Sequence, residues 1–161
     1  MATHVMEHET HSAPYTGMRP LSATALDVLS VMMGRIIFGG FFLFSSLDHF
    51  IARGALVSAT AAAGVPLPEL AVIGSGILLA AGGFGLMTGL WPKIGSAMII
   101  IFLLGVTPVM HAFWNDPAGP QRMANMINFG KNVALLGGAL IAAGTCADAG
   151  RRVLAIDRQG D

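Results

Sequence analysis

Six side chains carry most of the chemistry this chain can offer: Asp48, His49, His111, Asn128, Lys131 and Asn132. Histidine both donates and accepts hydrogen bonds near neutral pH, and a lysine with amides can grip a carbonyl or anionic oxygen. A carboxylate beside a histidine makes it hold its proton more tightly, as a proton relay requires. Asn128, Lys131 and Asn132 are spaced i, i+3, i+4 and so share one helical face, with Asn125 just before them. Asp48 and Lys131 are natural counter-ions. A quinone headgroup wants such contacts, with Phe50, Phe113 and Trp114 as aromatic walls. The plainer reading is that these groups pair with each other and only fix helix register.

Arg35 stands apart, on a stripe of Arg35, Gly39, Phe42, Ser46 and His49 that faces one way on a helix. The stripe lets it face the bundle interior at the inner leaflet; the favoured expectation is a structural polar residue that snorkels to lipid phosphates or pairs with Asp27 or Asp148. His4, His8 and His11 have helical spacing, but in a flexible tail they are not preorganised for a metal, and no metal site is assigned. No catalytic residue is assigned either: there is no P-loop, no Gly-x-Ser-x-Gly, no His-Glu-x-x-His and no dinucleotide fingerprint. The single Cys146 excludes an intrachain disulfide and a CxxC site.

The elements that must position these groups follow from composition. Of 161 residues 54% are apolar and only 11% charged, against about 25% charged in soluble domains. Too few charges remain to cover a surface facing water, so the chain reads as an integral membrane protein, all-α. Nine basic and nine acidic residues cancel, which leaves no basic surface for nucleic acid.

Crossing about 30 Å of hydrocarbon takes roughly 20 helical residues. Four apolar segments have that length, at about 28–50, 70–90, 94–113 and 126–146, each too uniformly apolar for alternating barrel strands. The breaks contain Gly64-Val65-Pro66-Leu67-Pro68, Trp91-Pro92-Lys93 and Asn115-Asp116-Pro117-Ala118-Gly119-Pro120. Residues 27–148 are thus expected to form a four-helix transmembrane bundle. Residues 1–26 form a flexible, disordered N-terminal tail, and 149–161 a second tail. Pro108 should kink the third helix one turn before His111. Gly82, Gly85 and Gly89 in the second segment, and Gly130, Ala134, Gly137, Ile141 and Gly144 in the fourth, are small-residue stripes where helices could touch.

An even number of spans puts both termini on one side. The tails and second loop hold Arg19, Lys93, Arg151, Arg152 and Arg158; the opposite loops hold Arg53 and Arg122, with Lys131 inside the fourth segment. The excess of positive charge predicts cytoplasmic termini; the membrane is expected to be the inner membrane of a bacterial or archaeal cell. The ends of the first and third segments and the start of the fourth then share the outer leaflet, where the six polar residues should meet.

The residues also resemble a family. The segment from Gly34 to Phe50, with its Arg35 and closing polar group, is similar to the opening helix of DoxX-like membrane proteins. Met110-His111-Ala112-Phe113-Trp114, then Asn128-Phe129-Gly130-Lys131-Asn132-Val133-Ala134-Leu135-Leu136-Gly137-Gly138, is closer still. Gly130 and Ser45-Ser46 depart from the pattern. The resemblance covers about residues 28–146 and matches at Arg35, His111, Asn128, Lys131 and Asn132.

It implies a four-helix membrane protein whose relatives include the membrane subunit of a thiosulfate:quinone oxidoreductase. On that reading the chain is a subunit of a quinone-linked redox complex in the lipid bilayer. It anchors a protein partner that supplies the electrons, has no covalent cofactor, and binds quinone at the polar cluster. Lys131 and His111 would contact a quinone carbonyl, His49 would donate a proton, Asp48 would tune both, and Asn128 and Asn132 would orient them. The alternatives are a purely structural accessory subunit and, third, a small transporter.

Overall fold

The computed structural model describes residues 25–157, with side chains over 26–145. The expected N-terminal tail with His4, His8 and His11, and the last residues of the C-terminal tail, lie outside the described residues. Among the described residues five helices follow one another: α1 (Ala25–Ile51), α2 (Arg53–Ala62), α3 (Pro68–Thr88), α4 (Pro92–Met110) and α5 (Pro120–Asp157). A 3₁₀ turn, Phe113–Asn115, lies between α4 and α5. Four stretches are long and apolar enough to cross a membrane: Leu26–Ile51, Pro68–Thr88, Pro92–Asn115 and Pro120–Thr145. The architecture is all-α with four spans, as the composition requires.

Helix starts and stops follow local chemistry. Pro68, Pro92 and Pro120 each open their helix, where a missing N–H costs nothing and a fixed φ is already helical. α3 stops at Gly89, whose φ of 76° is left-handed and favours glycine. Pro108 falls in the last turn of α4, which ends at Met110, short of the expected Phe113.

The 4-3-4-3 spacing of Arg35, Gly39, Phe42, Ser46 and His49 is the inward face of α1: Gly39, Phe42 and Ser46 are buried, Arg35 and His49 half-buried. The opposite face is apolar and outward, with Phe44 74% exposed. Apolar side chains displayed on that scale belong against lipid. The core is correspondingly thin: Phe42, Leu79, Leu86, Ile99, Leu103 and Ala139.

Glycine sets how closely the helices approach. A Cβ at Gly39 would lie 2.7 Å from the carbonyl oxygen of Gly83, and one at Gly95 2.7 Å from that of Gly82. α3 therefore meets α1 on one side and α4 on the other at backbone distance; of the expected stripe Gly82 makes the α4 contact, while the α1 contact falls to Gly83 beside it. The fourth-segment stripe is different. A Cβ at Gly130, Gly137 or Gly144 meets nothing within 4 Å, whereas Gly138 lies under the Phe38 ring and Ala139 is fully buried. The contact face of α5 is one position round from the expected one, because Phe38 of α1 needs a bare backbone beneath its ring.

Two elements differ from expectation. α2 is a short helix where only a loop was foreseen; its run is alanine-rich and turns Leu56 and Thr60, one turn apart, toward the bundle. α5 continues beyond Cys146 to Asp157 through a segment expected to be a tail. Alanine, arginine and leucine support helix there and no proline stops it.

Candidate functional site

A cavity of about 430 Å³ lies at the end of the bundle where α1 finishes, α2 crosses, α3 begins and α4 ends. Its walls include Leu70, Phe102 and Val109, and its polar groups are His49, Thr60 and Ser75. Leu70 is 64% exposed and Val109 43%, so the cavity opens sideways, toward the region that lipid occupies. The volume falls within the roughly 300 to 1,000 Å³ of small-molecule sites, and apolar walls with a few polar groups are their usual lining.

His49 reaches this cavity because Ser46 and Gly76 let α1 and α3 close on each other: a Cβ at Gly76 would lie 2.8 Å from the His49 Cβ. Its ring meets Phe102 edge to face, centroids 6.2 Å apart. His49 Nδ1 lies 3.3 Å from the Ser45 carbonyl oxygen. A carbonyl only accepts, so this bond assigns the proton to Nδ1 and leaves Nε2 as the free acceptor of the neutral ring. Ser75 spends its hydroxyl hydrogen on the Val72 carbonyl at 3.0 Å.

His111 belongs to a second group. It is the C-cap of α4, its N–H donating to the Thr107 carbonyl at 3.1 Å. Its Nδ1 faces Asn125 Oδ1 at 3.5 Å, and Asn125 Nδ2 donates to Asp116 Oδ2 at 2.7 Å. Phe113, Trp114 and Phe129 pack edge to face beside them, with centroids 5.2 to 5.6 Å apart. The group staples the α4–α5 connection to the first turns of α5.

Lys131 and Asn128 form a third group, Nζ donating to Oδ1 at 3.1 Å on the exposed side of α5. Asp48 is exposed, Asn132 buried. The expected Asp48–Lys131 ion pair is not formed; among the described residues no hydrogen bond or ion pair joins His49, His111 and Lys131 into one cluster.

The geometry explains the separation. His49 sits at the level of Phe102, and nine further residues, roughly 13 Å of helix rise, lead to His111. α5 touches α1 at Phe38 and Gly138, away from Asp48 and Lys131. Sharing a leaflet did not make these residues share a site. Asn125 and Asp116 were missing from the candidate set, yet Asn125 stands i−3 and i−7 from Asn128 and Asn132, a spacing legible in the sequence. Among the described residues no three His, Cys, Asp or Glu side chains gather as a metal site.

Arg35 turns inward onto the end of α3, its Nε donating to the Leu86 carbonyl at 3.0 Å. The side chain of Asp148, one expected partner, lies outside the described residues. Leu86 is in the last turn of α3, where carbonyls lack helical partners and the helix dipole favours a cation.

Comparison with known proteins agrees with this architecture. The DoxX family model matches residues 30–112, from within α1 to the residue after the C-cap of α4. Inner membrane protein YphA of Escherichia coli (strain K12) is 26% identical over 132 residues, 80% of this chain and 89% of YphA. No solved structure matches the chain. With the family model covering more than half of the chain, and four helices long and apolar enough to span, this chain is a multi-pass membrane protein of the DoxX family.

Proposed function

We propose that this chain is the membrane subunit of a quinone-linked redox complex, anchoring a partner polypeptide and taking a quinone headgroup into the His49 cavity. The observation that carries the reading is that cavity: apolar, about 430 Å³, open sideways and presenting one histidine edge. A lipid-soluble ligand with one polar end enters from the bilayer, buries its ring against Phe102, and meets His49 Nε2. Bound quinone supplies an acceptor of two electrons and two protons, the electrons coming from a redox centre in the partner. His49 is held by the Ser45 carbonyl, so Nε2 accepts a hydrogen bond from a ligand hydroxyl, or donates one to a carbonyl once protonated.

The relative YphA is by name an inner membrane protein. We assign the same location to this chain, with both termini cytoplasmic on the basis of the lysine and arginine distribution. The His49 cavity then lies in the outer leaflet. Asp48, His111, Asn128, Lys131 and Asn132 do not line it and have no assigned contact with the headgroup.

The test is purification from native membranes in mild detergent, with copurifying proteins identified and quinone extracted. Gly105 lines the cavity and a Cβ there meets nothing within 4 Å, so Gly105→Leu fills the space without a clash at that atom. Quinone retained by the wild type and Lys131→Ala but lost from Gly105→Leu and His49→Phe, together with a redox-active partner, supports the reading. A stable complex without quinone makes the chain an accessory subunit.

A further inference from the structure

At the opposite end of the bundle α1 and α5 enclose a crevice of about 270 Å³ walled by Val31, Phe38, Leu86 and Ile141. Arg35 lines it, and Arg35 is incompletely satisfied. Nε is held by Leu86, but the buried NH2 nitrogen has no hydrogen-bond acceptor. The guanidinium rests on Gly89, where any Cβ would collide with it, and Gly89 is in the left-handed conformation. The end of α3 is thus shaped as a seat for this cation.

A guanidinium stays charged in any protein environment. The α3 C-terminus offers about half an elementary negative charge, and one carbonyl satisfies one of five N–H groups. Among the described residues the crevice lining contains no Asp or Glu. Charge and donors are therefore left over in an apolar setting, where an unneutralised cation is costly.

Depth identifies what can supply the missing anion. Arg35 lies level with Leu86 and Gly89, where α3 ends and Trp91 follows, and tryptophan favours the headgroup level of a bilayer. A phosphate oxygen is available there, and the remaining walls suit a hydrocarbon chain.

We infer that the α1–α5 crevice is a binding site for an anionic phospholipid, a headgroup oxygen on Arg35 and an acyl chain along Phe38 and Ile141. A free phosphate shares the oxygen chemistry but leaves those apolar walls uncovered. The site is separate from the His49 cavity and independent of quinone binding.

Native mass spectrometry of the full chain in detergent, titrated with phosphatidylglycerol or phosphatidylcholine, tests it. The wild type should prefer phosphatidylglycerol about tenfold, because both lipids offer a phosphate oxygen but the choline ammonium of phosphatidylcholine brings a second positive charge toward Arg35. Arg35→Gln should bring the two lipids to parity. Gly34 lines the crevice and a Cβ there meets nothing within 4 Å, so Gly34→Leu should weaken phosphatidylglycerol binding while the melting temperature holds. This second variant keeps the test decisive if Arg35→Gln does not fold. Equal binding of both lipids by the wild type, or unchanged phosphatidylglycerol binding in Gly34→Leu, overturns the proposal. Displacement of the lipid by millimolar inorganic phosphate overturns it in favour of a free-anion site.

Discussion

A Cβ on Gly83 would stand 2.6 Å from the carbonyl oxygen of Gly39, so α1 and α3 touch backbone to backbone. In lipid, burial of apolar side chains gives no incentive for helices to associate, and close van der Waals contact must supply it. The Gly39–Gly83 contact fixes the spacing of α1 from α3. It thereby sets both the seat of Arg35 on the end of α3 and the approach of His49 to Gly76.

Gly83→Ala forces two backbones apart, since the nearest atoms are main-chain and cannot rotate away. Overpacking typically costs about 1–3 kcal/mol. Thermal unfolding in detergent should show that loss, and Gly130→Ala, where a Cβ meets nothing within 4 Å, should not. Equal stability of the two variants would mean that the contact does not hold the bundle.

Asn125→Leu removes the link between His111 and Asp116. Leaving half-buried polar groups without partners costs about 1–3 kcal/mol. The variant should be cleaved faster by protease in the segment between α4 and α5, while helices α1 to α3 keep their protection. Uniform loss of protection would instead show that the group supports the whole bundle.

Lys131→Ala should change stability by less than about 0.5 kcal/mol, because Lys131 is exposed and its partner is a neighbour on its own helix. Unfolding midpoints of wild type and variant should coincide. A large loss would require a partner for Lys131 beyond Asn128.

The Arg53–Glu69 pair ties α2 to α3 at 3.2 Å, with side chains 45% and 68% exposed. Exposed pairs contribute about 0–1 kcal/mol and weaken with salt. α2 is held instead by the half-buried Leu56, which lines the His49 cavity. Amide exchange of α2 should rise in Leu56→Asp and stay unchanged in Arg53→Ala; the reverse ordering would make the ion pair the anchor.

The spans were legible because length and apolarity are properties of a continuous stretch of chain. The inward face of α1 was legible for a related reason: Arg35, Gly39, Phe42, Ser46 and His49 keep helical period however the bundle is arranged. α2 escaped notice because ten residues are too few to span and the alanine-rich run is less apolar than the spans. The glycine stripe of α5 misled by one position, since a bare backbone becomes an interface only where a partner side chain such as Phe38 covers it.

Sequence alone determined that this is an all-helical membrane protein of four spans, and which end of each span carries polar groups. Both follow from transfer energetics, in which every residue contributes without reference to its neighbours in space. Only the tertiary structure decided which polar groups meet: His111 with Asn125, Lys131 with Asn128, Arg35 with the Leu86 carbonyl, and His49 with a cavity none of the others enters. Those pairings depend on helix rotation and relative depth, and these are set by a few angstroms of glycine-mediated approach between segments far apart in the chain.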